Sequence, residues 1–161
     1  MSPVIVYKDA KWIVPCLAEL RKATAVDIAS FIFDDPEFTE TLVQRLRSRV
    51  PFSCRIYVDS STFDARSSRR QAPRLRELKR LGAAVFLCTG YDATASFGPR
   101  AHQGIMHLKA IVIDQDVAYS GSANITLGAR SNRELTFRFS GTAVADISVA
   151  IRSMDASAKP L

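Results

Sequence analysis

Hydrophobic residues alternate along the chain between short, largely apolar runs and segments with helical spacing. The runs fall at positions 4–7, 26–33, 54–59 and 83–88, and they are typical of strands buried in a sheet. Between the runs, apolar residues recur every three or four positions, as on one face of an amphipathic helix. This alternation predicts an α/β fold in which helices cover both faces of a mixed, mainly parallel sheet.

The clearest helix start lies at Asp34 and Asp35, which precede Pro36. Acidic residues stabilise a helix N-terminus, and proline fits the first turn. Five apolar residues then lie on one face of the predicted helix: Phe38, Leu42, Val43, Leu46 and Val50.

The second half of the chain predicts a different strand arrangement. Segments 106–114 and 117–120 are expected to pair around an Asp-Gln-Asp turn, which adds an antiparallel piece to the sheet. A last strand is expected at 134–139 and a closing helix at 142–154. The polar, glycine-containing segment 89–104 is predicted to be a loop.

Length and composition fit one domain. The chain has 161 residues, of which 47% are hydrophobic, enough for a single core. We expect residues 1–155 to form this domain and residues 156–161 to be frayed. No apolar run approaches the roughly 20 residues that cross a bilayer, and the first residues do not form a signal peptide. A cytoplasmic location is therefore expected, unless the chain is a fragment of a longer protein that carries an anchor.

The charge of the chain is strongly basic. Lys and Arg number 22 against 16 Asp and Glu, a net charge of +6, which favours nucleic acid or an anionic membrane surface as a partner. Residues 64–80 hold seven basic and two acidic residues, a local charge of +5. The alternative interpretation is a solvated helix face. Five arginines are candidate nucleic-acid contacts: Arg69, Arg70, Arg74, Arg76 and Arg100.

A group of polar residues between positions 107 and 134 carries the candidate chemistry. On a strand, His107 and Lys109 project from the same face, and this pair of groups is costly at the rim of a sheet unless it meets an anion. Ser122 and Asn124 lie in a glycine-containing turn, where a hydroxyl and an amide can donate to phosphate oxygens. Glu134 opens the next strand and can accept from Nδ1 of His107, which leaves Nε2 free as a nucleophile.

The order of these residues, H-x-K-x4-D followed by G-S-x-N and N-x-E, resembles the HKD motif of the phospholipase D superfamily. The short chain with one motif is most similar to the small nuclease-like branch. The resemblance implies a metal-independent phosphodiesterase without a cofactor. It also implies that His107 forms a covalent phosphohistidine, that Lys109, Ser122 and Asn124 hold phosphoryl oxygens, and that Glu134 orients the histidine. Asp114 is implied to support the site.

The implied mechanism needs two histidines, one neutral to attack phosphorus and one protonated to release the leaving alkoxide. The chain has one motif, and His102 lacks the neighbouring lysine. We therefore expect a two-fold homodimer in which each subunit contributes His107 to one active site at the interface.

Three functions remain open from the sequence. An endonuclease that cleaves DNA or RNA is favoured, because the basic segment suits a nucleic-acid backbone. The second is a phospholipase D-type hydrolase of an anionic phospholipid such as cardiolipin, because basic patches also dock on anionic bilayers. A nucleic-acid-binding module without activity is the third, and the intact motif disfavours it.

Overall fold

The structure is a computed structural model that describes residues 4–63, 65–90 and 104–161. Within these residues the backbone forms eight strands and four α-helices. The strands are β1 (Val4–Lys8), β2 (Ala25–Ser30), β3 (Ser53–Asp59), β4 (Ala84–Cys88), β5 (Lys109–Ile113), β6 (Val117–Gly121), β7 (Leu135–Ser140) and β8 (Lys159–Pro160). The helices are α1 (Ile13–Leu20), α2 (Pro36–Arg47), α3 (Gln71–Arg80) and α4 (Thr142–Arg152).

The strands form one open sheet in the order β1-β7-β6-β5-β2-β3-β4-β8. The predicted mixed α/β class is confirmed, but the parallel part is smaller than expected. Strands β2, β3 and β4 run parallel, whereas the other five neighbouring pairs in the described residues are antiparallel. Parallel neighbours need a long crossover connection, and only α2 and α3 supply one between paired strands. The short turn at 114–116 makes β5 and β6 antiparallel.

Helices cover both faces of the sheet, as predicted. Helices α1, α2 and α3 pack on one face, where Leu42 and Leu75 are fully buried. Helix α4 packs on the opposite face, where Ile151 is buried. Successive residues of β2 alternate between the two cores, with Ile28 in the first and Ala29 in the second.

The predicted start of α2 is confirmed by its cap. The Asp35 carboxylate accepts hydrogen bonds from the backbone N–H groups of Glu37 (2.9 Å) and Phe38 (3.1 Å). The predicted apolar face extends too far, because the helix ends at Arg47 and Val50 is 53% exposed. Val50 precedes a proline, and this position disfavours helical backbone.

The C-terminal residues 156–161 are not frayed in the structure. Lys159 pairs with Leu87, and the backbone N–H of Leu161 donates to the carbonyl of Val85 (2.9 Å). This pairing satisfies backbone groups that the edge of β4 would otherwise expose.

The segment that carries His107 is also shorter as a strand than predicted, since β5 begins at Lys109. Most of the predicted loop 89–104, with Arg100 and His102, lies outside the described residues. The three cysteines are free and buried. No helix in the described part of the chain is both long enough and apolar enough to cross a membrane.

Candidate active site

The candidate residues lie at the edge of the sheet where β2, β3 and β4 have their carboxyl ends. Antiparallel register places Lys109, the first residue of β5, opposite Ser30, the last residue of β2. It also places Ser120, near the end of β6, opposite Ala110. The start of β5 and the turn after β6 therefore meet at this edge, which is the usual ligand-binding edge of α/β sheets.

His107 and Lys109 share one aromatic neighbour, Phe31, which directly follows β2. The His107 ring meets the Phe31 ring edge-on, with centroids 5.1 Å apart. Nζ of Lys109 lies 5.9 Å from the Phe31 centroid and donates a hydrogen bond to the main-chain oxygen of His107 (2.8 Å). The carbonyl of Phe31 accepts from Oγ1 of Thr62 (2.8 Å). Sequence reasoning missed Phe31, for which the only signal is its place just after a buried strand.

The charge on Lys109 lies in a partly desolvated setting. Burial lowers the pKa of this ammonium below its usual value, and the nearby Glu134 carboxylate opposes the shift without cancelling it. A cation held this way gains more from a bound anion than a fully hydrated one does.

Glu134 has different partners from the one predicted. The Ser122 hydroxyl donates to Oε2 of Glu134, and Nδ2 of Asn132 donates to Oε1 (3.3 Å). Among the described residues, Glu134 therefore pairs with Ser122 and Asn132 rather than with His107. The Ser122 hydroxyl also accepts from the backbone N–H of Leu135 (3.1 Å), so it joins the turn to the start of β7.

Gly121 explains why Ser122 comes so close to β7. A Cβ atom built on Gly121 would lie 2.1 Å from the carbonyl oxygen of Leu135 and 2.8 Å from Cα of Thr136. Only glycine allows this approach. The motif glycine is therefore required by packing, and it positions the hydroxyl that follows.

Asn124 lies against the loop that follows β2. Its Oδ1 accepts from the backbone N–H of Ile32 (3.4 Å), and its Nδ2 has no hydrogen-bond partner among the described residues. The Ser30 hydroxyl donates to the carbonyl of Ile32 (2.6 Å) and accepts from the N–H of Ile125 (3.2 Å). The turn and the loop are thus fastened together, with one amide donor left available for a ligand.

Asp59, the last residue of β3, is a second residue that sequence reasoning missed. It is 1% exposed, and its Oδ2 accepts from the backbone N–H of Met106 (2.6 Å), one residue before His107. Its Oδ1 accepts from the backbone N–H of Ser61 (2.9 Å) and from the Ser61 hydroxyl. Asp59 therefore attaches the segment that carries His107 to the sheet edge.

Asp114 lies just after the other end of β5, so any support it gives to the site acts through the strand and not by contact. Asp114 follows Lys109 by five residues, a length of about 17 Å along the extended chain. Its Oδ1 accepts from the N–H and hydroxyl of Thr24 and from the N–H of Ala25, each at 2.8 Å. Burial would raise the pKa of Asp114, but these bonds and the charge of Arg45 outweigh it and lower the pKa. Asp114 holds β5 to the start of β2.

The structure also separates the predicted arginines. Arg74 donates from Nε to the carbonyl of Asp34 (3.2 Å), and the Arg76 guanidinium lies over the ring of Phe63, 5.1 Å from its centroid. Arg69 and Arg70 instead line an open cleft of about 590 Å³. The cleft is bounded by Ile32, Asp34, Arg66, Arg69, Arg70, Thr126, Leu127, Gly128 and Ser131.

Comparison with known proteins agrees with this architecture. The structure superimposes on the phospholipase D family member Nuc from Salmonella typhimurium with a TM-score of 0.78 and 15% identity, covering 98% of this chain and 97% of that one. For NucT from Helicobacter pylori the TM-score is 0.81 at 17% identity, covering 98% and 99%. The archaeal chromatin protein TrmBL2, described as showing a novel mode of DNA binding, gives 0.67 at 13% identity, covering 100% of this chain and 55% of that one.

The sequence itself gives the family. No curated protein sequence matches the chain. Residues 17–152, most of the chain, match the family described as "Cardiolipin synthase, PLD-like domain". The protein therefore belongs to this family of PLD-like domains in the phospholipase D superfamily.

Proposed function

We propose that the protein is a phosphodiesterase that cleaves nucleic acid, DNA or RNA, with His107 as the nucleophile. The observation that supports this most is the gathering of one imidazole, one ammonium and one amide donor at one sheet edge, beside the Ser122 hydroxyl. The Lys109 ammonium lies at the start of β5, just after His107, and the Asn124 amide lies in the turn after β6, against the loop that follows β2. The Ser122 hydroxyl lies in the same turn, where it donates to Glu134. Such a set suits the developing negative charge on the non-bridging oxygens of a phosphodiester.

In the proposed reaction, Nε2 of His107 attacks phosphorus in line and a covalent phosphohistidine forms. The bond between phosphorus and the leaving oxygen breaks, and that oxygen takes a proton from a second imidazole. The second imidazole then removes a proton from water, which attacks the phosphohistidine and releases a phosphomonoester. Lys109 and Asn124 hold the phosphoryl oxygens in both steps, and Ser122 joins them when its hydroxyl proton turns from Glu134 to the phosphate. Asp114 has no part in these steps.

The second imidazole is proposed to be His107 of another copy in a homodimer. Ile105 and Leu108, on either side of His107, are 51% and 42% exposed. Apolar side chains exposed around a polar site are typical of surfaces that bind a partner. Their position supports an interface that brings the two copies of the motif together.

The alternative substrate is an anionic phospholipid such as cardiolipin. The matching family is described as cardiolipin synthase, and the exposed Ile105 and Leu108 would also suit contact with acyl chains. Nucleic acid is favoured because the arginine-lined cleft directly adjoins the donor set.

A turnover assay with excess chelator tests the proposal. Single-stranded DNA, duplex DNA, RNA and cardiolipin vesicles are offered to the native protein and to His107→Ala. We expect chelator-resistant cleavage of nucleic acid and a loss of at least about 10³-fold in His107→Ala. Cleavage of lipid alone would establish the alternative, and a nuclease activity that survives His107→Ala would refute the role of His107.

Mixing the two proteins tests the shared site. A dimer with one His107→Ala subunit has one imidazole, so after subunit exchange activity should follow the square of the native fraction. A linear dependence, or full activity in a monomer measured by sedimentation, would contradict the homodimer.

A further inference from the structure

We propose that the cleft lined by Arg66, Arg69 and Arg70, called here the arginine cleft, is a second phosphate subsite. It would hold the nucleotide next to the cleaved phosphodiester in a single-stranded nucleic acid. This inference rests on the proposed function, because it specifies the substrate of the same active site.

The arginine cleft begins where the donor set ends. Ile32 lines the cleft, and its backbone N–H donates to Oδ1 of Asn124 (3.4 Å). Thr126 lines the cleft as well and follows Asn124 by two residues, so the two Cα atoms are at most about 7 Å apart. A nucleic-acid strand with one phosphate at Asn124 therefore places its next nucleotide at the mouth of the cleft.

The charge in the arginine cleft is largely uncompensated. Its walls hold three arginines and one carboxylate, Asp34, which already accepts a hydrogen bond from the N–H of Leu127 (3.3 Å). The three arginines are exposed, and none has a carboxylate partner within the described part of the chain. Nearby Arg130, by contrast, is paired with buried Asp35 (2.7 Å). Guanidinium groups collected in a concave surface without acids attract phosphate.

The backbone that presents these arginines is anchored. Gln71, the first residue of α3, is fully buried. Its Oε1 accepts from the backbone N–H of Phe33, and its Nε2 donates to Oγ1 of Thr62 (3.0 Å). The Ser68 hydroxyl, between the arginines, donates to the carbonyl of Thr62. These bonds fix residues 66–70, which carry the three arginines, relative to the loop that contacts Asn124.

The size and lining of the cleft indicate a nucleotide. A volume of about 590 Å³ lies within the 300–1,000 Å³ typical of small-molecule sites. Ile32 and Leu127, the latter 46% exposed, offer apolar surface to a sugar or a base beside the arginines. A splayed single strand can insert one nucleotide into such a cleft, whereas the nucleotides of a duplex are stacked and paired.

Binding in the His107→Ala background separates recognition from cleavage. The probes are fluorescein-labelled oligothymidylates of two and eight nucleotides, with a 20-base-pair duplex for comparison. The cleft variant is Arg69→Gln/Arg70→Gln. The matched control is Lys22→Gln/Arg49→Gln, which removes the same charge from exposed residues before β2 and β3, at the opposite edge of the sheet.

The cleft variant should bind the eight-nucleotide strand at least tenfold more weakly, and the control less than twofold more weakly. Loss of two phosphate contacts should also reduce the slope of log K against log salt by about 1.4. Equal losses in the two variants would overturn the subsite. Duplex affinity equal to that of the single strand would overturn the single-stranded assignment.

Kinetics with His107 intact distinguish this inference from the proposed function. The native preference in kcat/KM for the eight-nucleotide strand over bis(4-nitrophenyl) phosphate should fall at least tenfold in the cleft variant and persist in the control. A native protein that hydrolyses neither substrate would refute the proposed function, while the binding experiment would still decide whether the cleft binds a strand.

Discussion

Replacement of Asp59 by asparagine keeps the size of the side chain and removes the charge that holds the segment before His107. The buried carboxylate accepts from the N–H of Met106 on one oxygen and from the N–H of Ser61 on the other. An amide has one acceptor oxygen, so its NH₂ group must face one of these two N–H donors.

The expected cost follows from these contacts. A hydrogen bond to a charged group contributes about 1.5–3 kcal/mol, and a buried donor left without an acceptor costs about 1–3 kcal/mol. We therefore expect Asp59→Asn to lower the free energy of unfolding by about 2–4 kcal/mol. A less well oriented His107 raises the activation free energy. If this increase is about 1.4–2.8 kcal/mol, kcat falls about 10- to 100-fold. KM should change little, because the donors that hold the phosphate are unaltered.

The measurement combines urea unfolding with steady-state kinetics on the eight-nucleotide strand, with kcat expressed per folded protein. Asp27→Asn is the matched control. Asp27 is also buried, but it is paired with Arg152 (3.0 Å) beneath α4, away from the site edge. The control should lose stability and keep its kcat. An Asp59→Asn protein with native kcat per folded molecule would refute the positioning role of Asp59.

Two further predictions concern stability. Asp114→Asn should destabilise the protein by about 1–3 kcal/mol at neutral pH, because three hydrogen bonds to the carboxylate are weakened, with kcat retained. The pKa of Asp114 is lowered by folding, so its contribution is present above about pH 4 and is lost as the pH falls through the folded pKa. The free energies of unfolding of the native protein and Asp114→Asn, measured with urea, should converge in acid. A difference that widens as the pH falls would contradict this account. Gly121→Ala should cost at least about 2 kcal/mol by overlap with the Leu135 carbonyl, whereas Gly128→Ala, whose nearest contact is 3.9 Å, should cost less than 1 kcal/mol. Equal melting temperatures for the two alanine variants would show that β7 moves aside without cost.

The elements that the sequence predicts well are those with strong local signals. The start of α2 follows from a capping aspartate and a proline, and the buried strands follow from their apolar runs. The pairing of strands depends on the connections between them, so the large antiparallel part could not be deduced from alternation alone. The C-terminal strand is two residues long and carries no periodic signal, which is why it was missed.

At the candidate site, too, features with local sequence signals are predictable and features that depend on strand pairing are not. The residue types and spacing of the motif predict that its polar groups lie close to His107. The motif residues stand near the ends of β5, β6 and β7, and the pairing of these strands brings those ends to one edge of the sheet. The partner of Glu134 was not predictable, because it depends on how closely Gly121 approaches Leu135. Phe31 and Asp59 come from distant strands and carry no motif, so only the assembled sheet edge shows their contacts.

Strand β2 has a parallel neighbour on one side and an antiparallel neighbour on the other, and the site lies at this junction. The donor residues come from the antiparallel half, between β5 and β7, whereas the cleft arginines come from the connection between β3 and α3. The donor residues and the cleft arginines thus come from separate stretches of the chain, which face each other across the cleft where Thr126 and Leu127 lie opposite the arginines. Substitutions in the connection between β3 and α3 can therefore alter the proposed subsite without changing any of the proposed donor residues.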